Sequence, residues 1–195
     1  MVTDDEGNVV RTLTSTLAVD EGQFVIRRHA EPVRLSSASP DFNDNPVDNG
    51  ARVLEEVEGD FVMQARVADF DGLSVRNCPA YNEAGIIAIE PDGGFVQNGV
   101  FPLYNCGNML TQVKHGRPQF PVQNGWQFDP WIQLQRVGNH LYARRSADGK
   151  TWTDMPGSPM YVEGDTMRLG TYQTTYTANV SWAVVSDFVV YQKRN

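Results

Sequence analysis

The sequence is short of the residues that usually announce chemistry. Its 195 residues hold two cysteines, Cys78 and Cys106, and three histidines, His29, His115 and His140. Two thiols cannot supply a multi-bridge disulfide scaffold or a four-cysteine metal centre. Both sit in turn-rich sequence (RNCPAYN and LYNCGNM) and read either as separate reduced thiols or as one bridge between two loops, which would imply an oxidising compartment. The histidines share no metal-ligand spacing. No apolar run approaches the ~18 residues that a membrane-spanning helix needs, so no membrane span is expected. Positive charge is also scarce: 16 Lys and Arg against 24 Asp and Glu leave a net charge of −8. That balance excludes the basic footprint of a nucleic-acid-binding protein. A signal peptide is missing from MVTDDEGNVVRTL, which has no basic region followed by an apolar stretch. The chain reads as a piece of a larger secreted protein, extracellular or periplasmic, with other domains of that parent as neighbours. Helical periodicity is nearly absent too, the best candidate being the short run Leu54–Glu58.

What the sequence does have is strict alternation. In WIQLQRVGNHLYARRSADGKTW, from Trp131 to Trp152, Ile132 and Leu134 alternate with Gln133 and Gln135, the period of a strand with one buried face. Gly138-Asn139 suits a two-residue hairpin turn whose first central residue has φ > 0. Leu141 and Ala143 then alternate with Tyr142 and Arg144, and Asp148-Gly149 reverses the chain again. Similar strands are expected at Gln23–Arg28, Val33–Ser36, Ala51–Val57, Phe61–Phe70, Gly85–Glu90, Gly94–Gln97, Met109–His115, Met167–Tyr172 and Val180–Tyr191. Many short strands between Gly, Pro, Asn and Asp predict an all-β sandwich or barrel. The sandwich is expected over 26–195, with 1–25 as a lead-in or an extra strand pair. Two stretches, Ser39–Gly50 and Arg117–Pro130, read as long loops that would rim a binding site.

Several segments in order carry a resemblance: Gly59-Asp60-Phe61, Tyr81-Asn82-Glu83-Ala84-Gly85-Ile86, Trp131-Ile132-Gln133-Leu134 with Arg136 and Gly138-Asn139, Ser146-Ala147-Asp148-Gly149 with Trp152, and Ser186-Asp187-Phe188-Val189-Val190. Together they resemble the concanavalin A-like lectin/glucanase superfamily, and within it the uncharacterised "regulation of enolase"-type branch. The resemblance covers Val33 to Gln192. It implies a jelly roll of two antiparallel sheets whose concave face forms a groove. It does not select an activity, because one fold hosts hydrolases, lyases, lectins and passive modules.

Glucanases of the superfamily place acidic residues alternately on one strand, and Glu56, Glu58 and Asp60 have that spacing. They match the signature poorly and read better as a solvated acidic edge. A uronate lyase would need parts that Tyr104, Gln112 and His115 only loosely supply. Binding without cleavage needs planar amides, guanidinium groups and aromatic faces. If Phe61, Met63, Ala65, Val67, Ile132, Leu134, Leu141 and Ala143 face the core, then Gln64, Arg66, Gln133, Gln135, Tyr142 and Arg144 share the opposite, open face. Trp126 is a loop aromatic that could join them, whereas Trp152 and Trp182 read as core. No cofactor is required; a structural calcium ion is the one suggested. The resemblance offers Asp187 for it, and Asp41-Phe42-Asn43-Asp44-Asn45, with Asp41 and Asp44 as its carboxylates, offers oxygens at every second residue but reads better as a plain Asx-rich turn. Asn179-Val180-Ser181 is a formal glycosylation acceptor inside an expected strand, and reads as chance. The expected function is a non-catalytic carbohydrate-binding or accessory module with a saccharide partner. The alternatives are a glycoside hydrolase or polysaccharide lyase in the same groove, and a structural or protein-interaction sandwich.

Overall fold

A computed structural model describes residues 2–3, 9–10, 24–29, 32–37, 51–70, 82–101, 107–114, 117–124, 129–175 and 181–193. The described residues form strands and turns with no helix. In chain order the strands are β1 (Val2–Thr3), β2 (Val9–Val10), β3 (Phe24–His29), β4 (Val33–Ser37), β5 (Ala51–Glu58), β6 (Phe61–Phe70), β7 (Asn82–Ile89) and β8 (Phe95–Phe101). They continue as β9 (Gly107–Lys114), β10 (Arg117–Asn124), β11 (Trp131–Val137), β12 (His140–Ser146), β13 (Thr153–Asp154), β14 (Met160–Tyr161), β15 (Thr166–Thr175) and β16 (Ser181–Lys193).

Two antiparallel sheets make the sandwich. One has the order β10-β9-β8-β7-β15-β5, and the other β13-β12-β11-β6-β16-β3, with β14 on β12 and β4 on β16. Among the described residues β1 and β2 pair with each other. The long strand β16 holds β4 along Ser181–Val185 and β3 along Phe188–Lys193. The changeover is a bulge at which Asp187 takes φ +54°.

Alternation fills the space between the sheets as the sequence predicts. Phe61, Met63, Ala65, Val67, Ile132, Leu134, Leu141 and Ala143 are buried from one side, and Ala84, Ile86, Ala88, Val96, Val100, Leu110 and Leu169 from the other. Each large apolar side chain so buried contributes about 1.5–3 kcal/mol. The β11–β12 hairpin pairs Val137 with His140 across Gly138-Asn139, and Gly138 has φ +56°. Its backbone N–H donates to Asp60 Oδ1 at 2.7 Å, so Asp60 holds a turn rather than lining a groove. In the next turn, Gly149 at φ +70° lies beneath the Trp131 indole, where a Cβ would stand 2.9 Å from the ring. Trp131 braces that turn. Trp152 and Trp182, expected in the core, are only half-buried.

Two cationic side chains enter the core on the strand faces that carry its apolar residues. Arg136, 2% exposed, donates from Nε to Gly138 O and from Nη1 to Asp165 O, both at 2.8 Å, and from Nη2 to Gly164 O. Arg145 pairs with the buried Asp129. Asp129 is in turn fixed by Asn108, whose amide donates to Asp129 O at 2.8 Å and accepts from its N–H at 3.0 Å. Asn98 also crosses the core, its Nδ2 donating to Gln133 O at 3.1 Å and Arg144 O at 2.8 Å.

One expected loop is corrected. The first part of Arg117–Pro130 is strand β10, paired to β9 with a bulge between Gln119 and Val122. Pro118 and Pro121 make this sequence look like a breaker, but β10 is an edge strand. An edge needs N–H groups on one side only, and a bulge relaxes even that demand. The helical candidate Leu54–Glu58 lies in β5.

Candidate functional site

Each sheet has a second face, turned away from the core, and the two are chemically different. On the larger sheet, β6, β11 and β12 run side by side with Gln133 opposite both Gln64 and Arg144, and Gln135 opposite Tyr142. The residues that the sequence singled out are therefore brought onto one face. That face is not open, however. Gln133 and Gln135 are fully buried and Arg144 nearly so. They bond to one another: Arg144 Nη1 donates to Gln133 Oε1 at 3.2 Å and Gln135 Oε1 at 2.6 Å, while its Nε donates to Asp154 Oδ1 at 2.8 Å. Gln133 Nε2 reaches Gln64 Oε1 at 3.4 Å, and the Arg144 guanidinium lies 6.0 Å from the Tyr142 ring centroid. Only Arg66 is exposed, with Gln64 and Tyr142 half-buried. Such a network spends most of its polar capacity internally.

The smaller sheet presents Glu83, Gly85, Ile87 and Ile89 from β7, Phe95, Gln97 and Gly99 from β8, Thr111 from β9 and Tyr172 from β15. Register sets them in rows: Tyr172 beside Gly85 beside Gly99, and Ile87 beside Gln97 beside Thr111. The two glycines matter here. A Cβ on Gly99 would collide with the Tyr172 hydroxyl, and would also stand 2.6 Å from Ala84 O. Bare backbone at Gly99 leaves room for the Tyr172 hydroxyl, which donates to Glu83 Oε1, whereas a Cβ on Gly85 would meet the backbone of Asn98 and Gly99. Gln97 Nε2 donates to the same carboxylate, at 3.1 Å to Oε1 and 3.3 Å to Oε2. Beside this group Ile87, Ile89, Phe95 and Tyr172 form a separate buried apolar cluster.

Two polar atoms on this face have no hydrogen-bond partner: Gln97 Oε1 and Thr111 Oγ1. Each orphan of this kind costs about 1–3 kcal/mol, and a buried polar group left unmet usually marks a place for water, an ion or a ligand. This face is no more open than the other, with Glu83, Ile87 and Tyr172 fully buried and Gln97 and Thr111 nearly so; what sets it apart is a pair of unmet oxygens beside an apolar cluster, against the single unmet Gln135 Nε2 of the larger sheet.

The carboxylates are widely spread. On the strands of this sheet, the next acidic residue facing the same way as Glu83 is Glu56, opposite Arg168, whereas Glu83 stands opposite Thr174. Six residues of β15 separate the two positions, roughly 20 Å at ~3.3 Å per residue. Glycosidases that use two carboxyl groups hold them about 5–9.5 Å apart. Glu56 and Glu58 are exposed on an edge strand.

For the proposed ion, Asp187 is exposed and accepts from Ser186 Oγ at 2.8 Å. Among the described residues no group of three or more His, Cys, Asp or Glu is gathered as a metal site. Asp41, Asp44, Trp126, Tyr104, His115, Asn179 and both cysteines lie outside the described residues. Gln112 is described, and its Nε2 donates to Tyr161 O at 2.7 Å. Glu83, Gln97 and Thr111 were not picked out as functional from the sequence. The available signal was Glu83-x-Gly85 and Gln97-x-Gly99 in consecutive strands, since a glycine inside a strand marks the close approach of another group.

No protein-family model and no curated protein sequence matches the chain. Solved structures do. A functionally unknown protein from Saccharomyces cerevisiae superposes with a TM-score of 0.64 at 18% identity, over 89% of this chain and 98% of that one. The GH43 BlXynB protein from Bacillus licheniformis matches with a TM-score of 0.59 at 13% identity, over 83% of this chain and 33% of its own. A native glycosidic hydrolase matches with a TM-score of 0.52 at 6% identity, over 90% and 92%. At these identities the likeness is one of fold: the chain is an all-β jelly-roll sandwich of two antiparallel sheets.

Proposed function

We propose that the chain is a non-catalytic carbohydrate-binding or accessory module, of the "regulation of enolase"-type branch, working as one part of a larger extracellular or periplasmic protein. The observation that carries this reading is the distance, roughly 20 Å along the described strands of the smaller sheet, from Glu83 to the next carboxylate on its face, Glu56. Glu83 is flanked by an amide, hydroxyl groups and an aromatic shelf, with no second carboxylate on the described strands within catalytic distance. Such a face suits hydroxyl recognition and lacks the acid–nucleophile pair of a two-carboxylate hydrolase. The GH43 match adds support, because this fold there occupies a third of a longer chain. A hydrolase remains the second reading, favoured by the match to nearly the whole length of a glycosidic hydrolase.

The two readings separate in one experiment. Xylohexaose and cellohexaose are each titrated calorimetrically and then incubated overnight with the protein while reducing ends are measured. A saturable binding isotherm with no release of reducing ends supports the module. Release that scales with protein concentration establishes the enzyme instead.

A further inference from the structure

We infer that Gln97 and Thr111 form the hydroxyl-binding subsite of the smaller sheet, and that it takes a neutral saccharide and turns away a uronic acid. The inference rests on the chain's being a saccharide-binding module and assigns that module its site and ligand class. The two residues face each other across β8 and β9. Each is more than nine-tenths buried and carries an oxygen without a partner. Gln97 Oε1 can only accept, whereas Thr111 Oγ1 can both accept and donate. A neighbouring pair of sugar hydroxyls meets both demands, one donating to the amide oxygen and one exchanging with the threonine. Shielding from bulk water strengthens such bonds. Gln97 is itself held by its second amide atom, Nε2, against Glu83, so its oxygen is aimed before a ligand arrives.

The charge on this face sets the ligand class. The charged group beside Gln97 is a carboxylate, Glu83, which accepts from the Gln97 amide. The described cation of the face, Arg168, stands opposite Glu56 two strands away from Gln97. No described cation there would neutralise the carboxylate of a uronic acid, which would instead be brought toward Glu83.

The test compares wild type with Thr111→Val and Gln97→Met, using xylohexaose, cellohexaose and hexagalacturonate as probes and a thermal melt on each protein. Thr111→Val is isosteric and removes a hydroxyl that bonds to nothing, so its melting temperature should equal or exceed that of wild type. Its affinity for the neutral hexasaccharide that wild type binds should fall by about 2–12-fold, the worth of one hydrogen bond. Gln97→Met should bind more weakly still, and hexagalacturonate should show no saturable binding to any of the three. If both variants bind the neutral probe like wild type, the orphan atoms hold no more than water; the subsite is then overturned while the module reading survives. Equal affinity for hexagalacturonate overturns the ligand class alone. Failure of every saccharide to bind wild type removes the module reading, and this inference with it.

Discussion

Gly99→Ala puts the architecture of the smaller sheet under direct strain. The new methyl group would meet the Tyr172 hydroxyl and would stand 2.6 Å from Ala84 O. Relief requires Tyr172 to tilt, which breaks its hydrogen bond to Glu83. A bond to a charged partner is worth about 1.5–3 kcal/mol, and forcing extra volume into a packed site costs about 1–3 kcal/mol. Reduced freedom of the unfolded chain gives back about 0.4–1 kcal/mol. The net expectation is a destabilisation of about 2–5 kcal/mol. Tyr172→Phe alone forfeits the hydrogen bond, about 1.5–3 kcal/mol. In the double variant that bond is lost only once and the hydroxyl collision is gone, although Ala84 O still crowds the methyl. The two effects should therefore fall short of additivity by about 1.5–3 kcal/mol. Urea denaturation of the four proteins, with m held constant, measures this coupling. Strict additivity, or a Gly99→Ala variant within about 0.5 kcal/mol of wild type, would refute the claim that Gly99 exists to seat Tyr172.

Three further outcomes follow from other parts of the molecule. Arg136→Lys keeps the charge but cannot reach all three carbonyls of Gly138, Gly164 and Asp165. It should cost about 1–3 kcal/mol, a fall in Tm of about 2–12 °C by calorimetry. Asp148 accepts from the backbone N–H groups of Thr151 and Lys150 and from Ser146 Oγ, which lower its pKa from 3.8 to about 2. The folded pKa is depressed, so the stabilisation is complete above 3.8 and lost as pH falls through about 2. Any stability deficit of Asp148→Asn should therefore close across that window in acid denaturation curves, whereas a deficit independent of pH would contradict the assignment. Asp187→Gly should match or slightly exceed wild type in stability, because φ +54° suits glycine. Asp187→Val should lose about 1–3 kcal/mol by the same denaturant assay.

Much of the scaffold is legible in the sequence because its code is local. Alternation in Trp131–Val137 and His140–Ser146 assigns Ile132, Leu134, Leu141 and Ala143 to the core with the observed strand limits. Gly138 and Gly149 announce their turns for the same reason. Alternation cannot say what happens to the opposite face. Gln133, Gln135 and Arg144 share a side as expected, but they are buried and bonded among themselves rather than open to solvent. Arg136 and Arg145 lie on the core-facing sides of their strands, yet nothing local indicates that backbone carbonyls and Asp129 will receive them. The Glu83–Gln97–Tyr172 group joins residues 14 and 89 positions apart. Such a group depends on sheet order, and sheet order is not written in any one strand. Pro118 and Pro121 mislead in the opposite way, because proline argues against a central strand but not against an edge.

The central claim is that a saccharide binds the outer face of the smaller sheet and is not cut there. Backbone amide NMR of the labelled chain during titration with the neutral hexasaccharide addresses it most directly. Shifts should concentrate on Glu83, Gln97, Gly99, Thr111 and Tyr172, saturate with one affinity, and leave the sugar's anomeric signals unchanged overnight. Shifts confined to Gln64, Gln133, Tyr142 and Arg144, or the growth of new reducing-end signals, would contradict it.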